Sequence, residues 1–263
     1  MLFRGGCLGS GCWYLAESLV ILVMSKSSPF EAVHRVLGAN FAEYNGWVLP
    51  ADYGDRLAEY KALTEGCAAF DLSSFGRIII KGTQSEALID RLLVRGADKC
   101  RDGTWKWAAV RAEQADVGNM LRVGKVGEEY SLFTLPVRRE AVLRLAKSLT
   151  DKAGLANISI DDVTAKTAML GIYGPEAVRS ADSILPFDIA AIGAGCIEKI
   201  SLFMVSATLT RGSWLDTDGV EIVCPASVAQ MAGTVVAKYH KRANIMPAGM
   251  DCLERSIADR RTD

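Results

Sequence analysis

In Asp216-Thr217-Asp218-Gly219-Val220-Glu221 the first four residues lie between two β-branched apolar runs, residues 197–210 and 220–224, and the last two open the second run. Carboxylates at alternate positions can share a hard cation, so one reading is a metal loop. The stretch lacks the remaining ligands and the twelve-residue spacing of a calcium loop. The other reading is a hairpin turn, because Asp-Gly between two apolar runs suits a type I′ geometry. Glu221 then falls in the returning strand, on the face opposite Val220 and Ile222. An unpaired carboxylate is costly to bury. If that face is inside, Glu221 must have a ligand or a partner.

Working outward, helices and strands interleave. Ser28-Pro29-Phe30-Glu31 reads as a capping box with proline at the first helical position, opening a helix to about Leu37. Residues 54–66 read as a helix with Leu57, Tyr60 and Leu63 on one face and Gly66 as its stop. Residues 77–81 form a β-branched strand. Thr83 and Glu86 are placed to cap a helix whose face is Ala87, Leu88, Leu92 and Leu93. Strands are expected over 105–111, 120–125, 129–134 and 164–172, and a helix over 138–151. A helix follows Gly174-Pro175 to about Ile184. Another runs from Pro225 to about Lys241, and a last one covers 249–259. Strand pairs between helices indicate an α+β fold rather than a doubly wound sheet.

The chain has 263 residues, with 30 Lys+Arg against 31 Asp+Glu and a net charge of -1. No whole-chain field draws in nucleic acid or an anionic membrane. Half of the residues are apolar and 23% are charged, which is globular composition. Seven cysteines without a C-x-x-C pair read as reduced thiols in a cytoplasmic protein. With His34 and His240 as the only histidines, no zinc site or histidine-based triad is expected.

Residues 1–23 differ from the rest. Their apolar stretch is about twelve residues, short of the ~18 that would span a bilayer. The first reading is a dispensable or misassigned start, with translation beginning at Met24. A signal or anchor segment and a structured helix are the alternatives. Residues 24–263 are then one domain, with a division into two intertwined subdomains expected near 77–164.

Trp105 and Trp107 share one strand face at period two. They are either core aromatics or a stacking platform for a flat ligand. Lys238, Lys241 and Arg242 read as a solvated helix end. There is no G-x-S-x-G elbow and no strand-linked G-x-G-x-x-G.

Five segments, taken in order, resemble a known family. They are Phe41-Ala42-Glu43-Tyr44-Asn45-Gly46-Trp47-Val48-Leu49-Pro50, Ala69-Phe70-Asp71-Leu72-Ser73-Ser74-Phe75-Gly76, Ala168 to Ala177 around Gly174-Pro175, Thr210-Arg211-Gly212 through Ile222, and Pro247-Ala248-Gly249-Met250. Together they resemble the folate-binding family typified by the glycine cleavage system T protein, an aminomethyltransferase. The resemblance runs from about Phe30 to Met250, so the family's C-terminal barrel domain is expected to be missing.

The resemblance implies transfer of an aminomethyl group from a lipoyl carrier protein to tetrahydrofolate, with release of ammonia. It implies tetrahydrofolate as the cofactor, with Glu221 at the pterin-binding glutamate and Phe75, Trp107 and Trp214 around the ring. It also shows departures. The family's catalytic aspartate falls on Met120, with Asp116 the nearest carboxylate, and a folate-contacting asparagine falls on Pro136. The arginine of the last segment falls near Leu253 or Glu254. Methionine cannot orient a nucleophilic nitrogen or stabilise developing charge, which argues against transfer. The expectation is a tetrahydrofolate-binding, aminomethyltransferase-like protein of one-carbon metabolism. The alternatives are a non-enzymatic folate-binding or regulatory protein, or a subunit of a larger oxidase-type complex that supplies the missing barrel.

Overall fold

The computed structural model describes residues 25–94, 100–111, 120–202 and 204–260. The expectation for residues 1–23 lies outside them, as does Asp116. The described chain begins with strand β1 (Lys26–Ser27) and helix α1 (Glu31–Val36). A hairpin of β2 (Asn40–Tyr44) and β3 (Trp47–Asp52) follows. Its turn residues, Asn45 and Gly46, both have positive φ, as a type I′ turn requires. Helix α2 (Arg56–Glu65) is capped by Asp55, whose carboxylate accepts from the Ala58 amide at 2.9 Å. Next come β4 (Ala68–Asp71) and a contiguous segment of β5 (Gly76–Lys81), α3 (Ser85–Leu92), β6 (Thr104–Ala109), β7 (Met120–Val126), β8 (Glu129–Thr134), α4 (Arg139–Lys152) and β9 (Ser159–Asp162). The chain returns through β10 (Thr167–Tyr173), α5 (Ala177–Asp182), β11 (Ile197–Leu202), β12 (Val205–Arg211) and β13 (Gly219–Pro225). It ends with α6 (Ala226–Tyr239), β14 (Met246–Pro247) and α7 (Met250–Arg260).

Three sheets result, in strand orders β1-β3-β2, β11-β12-β13-β10-β4-β14 and β6-β7-β8-β5-β9. The five-stranded sheet comes entirely from the segment inserted between β4 and β10. Its outer face packs Ile78, Ile80, Leu121, Val123 and Leu132 against Leu88, Ile89 and Leu92 of α3 and Val142 and Ala146 of α4. The outer face of the six-stranded sheet packs Ile172, Leu209 and Val220 against α5, and Ala168, Ile222 and Cys224 against Ala229 of α6. Between the sheets lies an aromatic cluster that includes Phe70, Phe75, Phe133, Tyr173 and Trp214. Helices therefore flank two facing sheets, the α+β class expected. No helix among the described residues is long and apolar enough to cross a membrane.

Several local expectations need correction. The 197–210 run is itself a hairpin, β11 with β12, and Asp218-Gly219 is not a two-residue turn. Residues 212–218 form a longer connection. It is clamped by Arg211, which donates to both Asp218 oxygens at 3.0 Å, and by the Gly212 amide on the Gly219 carbonyl at 2.8 Å. Ser28 does not cap α1. It accepts from the Phe30 amide at 3.0 Å and donates to Asp71, which also meets His34 Nε2 at 3.0 Å. Burial alone would push the Asp71 carboxyl up, but its bonds with His34, Ser28 and Ser73 outweigh this and hold it below the usual range. The network ties α1 to the end of β4. On α2, Leu57 is 79% exposed, and Glu59 and Leu63 face inward instead. Glu59 accepts from the Tyr53 and Gly249 amides, so a carboxylate takes the place of an apolar side chain. Thr83 and Glu86 make no cap for α3, which begins after Gln84. Residues 164–166 are a 3-10 turn ahead of β10.

Candidate functional site

Alternation along two strands builds the site. On β7, Leu121 and Val123 enter the cluster under α3 and α4, so Met120, Arg122 and Gly124 point toward the other sheet. On β13, Val220 and Ile222 enter the clusters under α5 and α6, so Glu221 points back. Arg122 and Glu221 therefore meet between the sheets. Arg122 Nη1 donates to Glu221 Oε1 at 2.8 Å, and Nη2 donates to Oε2. The Tyr173 hydroxyl donates to Oε1 as well. All three side chains are fully enclosed.

Aromatic rings surround the guanidinium. Its carbon lies 4.7 Å from the Trp105 ring centroid, 4.8 Å from Trp214, 5.4 Å from Phe133 and 6.0 Å from Trp107. Trp107 meets Trp214 edge-on at 5.4 Å, and Phe75 meets Trp214 at 5.0 Å. A desolvated cation over an indole face gains about 2 kcal/mol or more. Burial, and then the charge of Glu221, push the Tyr173 hydroxyl far above the usual tyrosine range. It therefore remains a donor at every working pH.

The connection 212–218 closes one side. Trp105 Nε1 donates to the Arg211 carbonyl at 2.7 Å. Gly212 has φ +153, and a Cβ there would lie 2.0 Å from Trp105 Cζ2. Gly212→Ala is therefore expected to cost about 2 kcal/mol or more, through strain and displacement of the indole. That corresponds to a melting temperature lower by roughly 4–8 °C in a thermal scan.

The four expected ligand contacts, Glu221, Phe75, Trp107 and Trp214, are brought together. Glu221, Trp107 and Trp214 meet Arg122, and Phe75 backs Trp214. Arg122, Tyr173, Trp105 and Phe133 complete the box. Arg122 was legible as a charged residue on the face opposite Leu121 and Val123. Met120 starts β7 and is 50% exposed, at the rim rather than within the box. Pro136 opens a 3-10 turn and lines an open cleft of about 530 Å³ with Phe75, Leu135, Val137, Met250 and Ile257. Leu253 is fully buried, and Glu254 lines that cleft, its carboxyl raised by burial and then by Asp251. The metal-loop reading is set aside by geometry, because Asp218 and Glu221 are each committed to a different arginine.

The GCVT N-terminal domain family matches residues 30–258. The chain belongs to that family. It is 25% identical over 233 residues to an aminomethyltransferase of Geobacillus kaustophilus, covering 86% of this chain and 62% of that one. It is 28% identical over 231 residues to a probable aminomethyltransferase of Aeropyrum pernix, covering 84% and 58%. The chain thus spans about three-fifths of the length of these relatives. Among solved structures, glycine cleavage system aminomethyltransferase T from Bartonella henselae superposes with a TM-score of 0.75 at 18% identity, covering 89% of this chain and 62% of that one. Heterotetrameric sarcosine oxidase from Corynebacterium sp. U-96 gives 0.53 at 16% identity, covering 82% of this chain and 95% of the matched one.

Tetrahydrofolate, the cofactor that the resemblance implies, does not fit these residues as folded. Both Glu221 oxygens are taken, and the space between the rings holds the guanidinium.

Proposed function

We propose that this chain is a non-transferring member of the aminomethyltransferase family, a domain whose ligand cradle is filled from within. The observation that carries this reading is the Arg122–Glu221 pair inside the aromatic box. A pterin ring would need the carboxylate that Arg122 holds. The rim supplies Met120 where the resemblance calls for an aspartate. In this reading the domain acts as one part of a larger assembly. A likeness of fold supports that role, since the matched sarcosine oxidase chain is covered over 95% of its length. A lipoyl carrier has no role here, because no transfer takes place. The five described cysteines are free, in keeping with a reducing, cytoplasmic setting.

Titrating tetrahydrofolate into the purified protein by calorimetry tests this reading. No saturable binding is expected up to about 1 mM. Saturation with a Kd below about 100 µM would show that Arg122 yields to the ligand, and the reading would fail.

A further inference from the structure

We infer that the box is a recognition site for planar cations of the guanidinium and amidinium class, with Arg122 as its ligand in cis. The inference rests on the reading above and adds the chemistry that the site selects.

Three features of the site carry it. The first is shape. Glu221 presents two oxygens side by side, and the terminal edge of the guanidinium meets both, with Trp105 and Trp214 each within 5 Å of its carbon. A flat fork of parallel N–H groups matches both oxygens and lies between the rings, and a compact tetrahedral ammonium offers no such parallel pair. The second is charge. Glu221 is fully buried, and Arg122 and Tyr173 are the side chains bonded to it. A neutral ring with two N–H donors would satisfy the oxygens but leave a net buried charge. A planar cation satisfies both. The third is a mismatch in Arg122 itself. Its Nε is buried and has no hydrogen-bond partner. The site thus offers an acceptor to each terminal nitrogen and none to the inner one. Its complement is a planar cation that presents two parallel N–H groups, one on each terminal nitrogen, and arginine's inner N–H is left unpaired. The site is built around the terminal edge of the ligand, not around the arginine as a whole.

An Arg122→Ala variant empties the box and allows the class to be tested by chemical rescue. The probes are propylguanidine, propylamine and the neutral 2-amino-4-hydroxypyrimidine. Each is added at about 20 mM to wild type, Arg122→Ala and the double variant Arg122→Ala/Glu221→Gln, well below denaturing concentrations. The readouts are the melting temperature and, where Arg122→Ala is unfolded at the assay temperature, the folded fraction from circular dichroism. Propylguanidine is expected to raise the melting temperature or folded fraction of Arg122→Ala and to leave wild type unchanged. The other two probes are expected to bind at least about 10-fold more weakly, and the double variant is expected to lose the preference. Equal rescue by propylamine would mean that the site asks only for charge, and equal rescue by the neutral heterocycle would mean that it asks only for donors. Either outcome overturns the inference, as does absence of rescue by propylguanidine. The proposed function would survive all three, since it depends on tetrahydrofolate failing to bind wild type.

Discussion

Glu221→Ala is expected to melt roughly 6–20 °C below wild type. The variant leaves the Arg122 guanidinium enclosed between two sheets without its carboxylate. Breaking one side of a buried pair typically costs about 3–5 kcal/mol. A chain of this size loses roughly 2–4 °C per kcal/mol. The surrounding rings soften the loss, because cation–π contacts to Trp105 and Trp214 persist. They do not replace the two charge-assisted bonds. The Tyr173 hydroxyl also loses its acceptor. Replacing both partners with apolar side chains, as in Arg122→Met/Glu221→Leu, removes the unpaired charges. It is expected to recover most of the loss, since such swaps are often neutral or stabilising. A thermal scan of the three proteins decides the matter. A single variant melting within about 2 °C of wild type would show that water reaches the pair and that the box is not closed.

The sequence carried the logic of this pair further than its outcome. Alternation along 220–224 places Glu221 opposite Val220 and Ile222, and the cost of burying a carboxylate demands a ligand or a partner. The structure supplies a partner. Arg122 comes from β7, 99 positions away, and that pairing depends on how the two larger sheets stack. No local pattern specifies such stacking. The same limit explains Trp105 and Trp107. Their shared face follows from period two, but whether they stack on a ligand or on a side chain depends on the opposite sheet. Where local chemistry dominates, the elements were readable. The strands 120–126 and 129–134 and the helix 139–152 follow hydrophobic period alone. Where a side chain had two possible partners, the local rule failed. Ser28 fits a capping box, yet its hydroxyl accepts from the Phe30 amide and donates to Asp71, because an enclosed carboxylate needs donors. Leu57 fits the helical period of α2 but lies outward, since the inward place is held by Glu59, which ties two backbone amides.

Ammonia release from an aminomethyl-loaded lipoyl carrier is expected to be at least 10²–10⁴-fold slower than with a full-length relative, tetrahydrofolate being present. Loss of one positioned charged or proton-transferring group typically costs about that factor. Met120 offers neither charge nor proton where the resemblance calls for an aspartate, and its side chain is half exposed at the start of β7. Pro136 adds no polar side-chain group on the neighbouring cleft. The larger obstacle is inside, where Arg122 holds both oxygens of Glu221. Met120→Asp is therefore expected to leave the rate unchanged within about 3-fold, because the new carboxylate would sit outside a box that still admits no ring. The measurement compares wild type, Met120→Asp and an intact aminomethyltransferase with one loaded carrier. Turnover by wild type within about 10-fold of the intact enzyme would show that another carboxylate, with Asp116 the first to mutate, supplies the missing charge. Recovery in Met120→Asp alone would show something different: Arg122 would then be a movable side chain that leaves Glu221 whenever the ligand arrives. A free energy argues against that motion. Swinging Arg122 out strips it of a bidentate carboxylate and its two closest indoles, and leaves Glu221 buried with only the Tyr173 donor. An incoming neutral ring would have to offset all of this from its own contacts before any tightness remained to be measured.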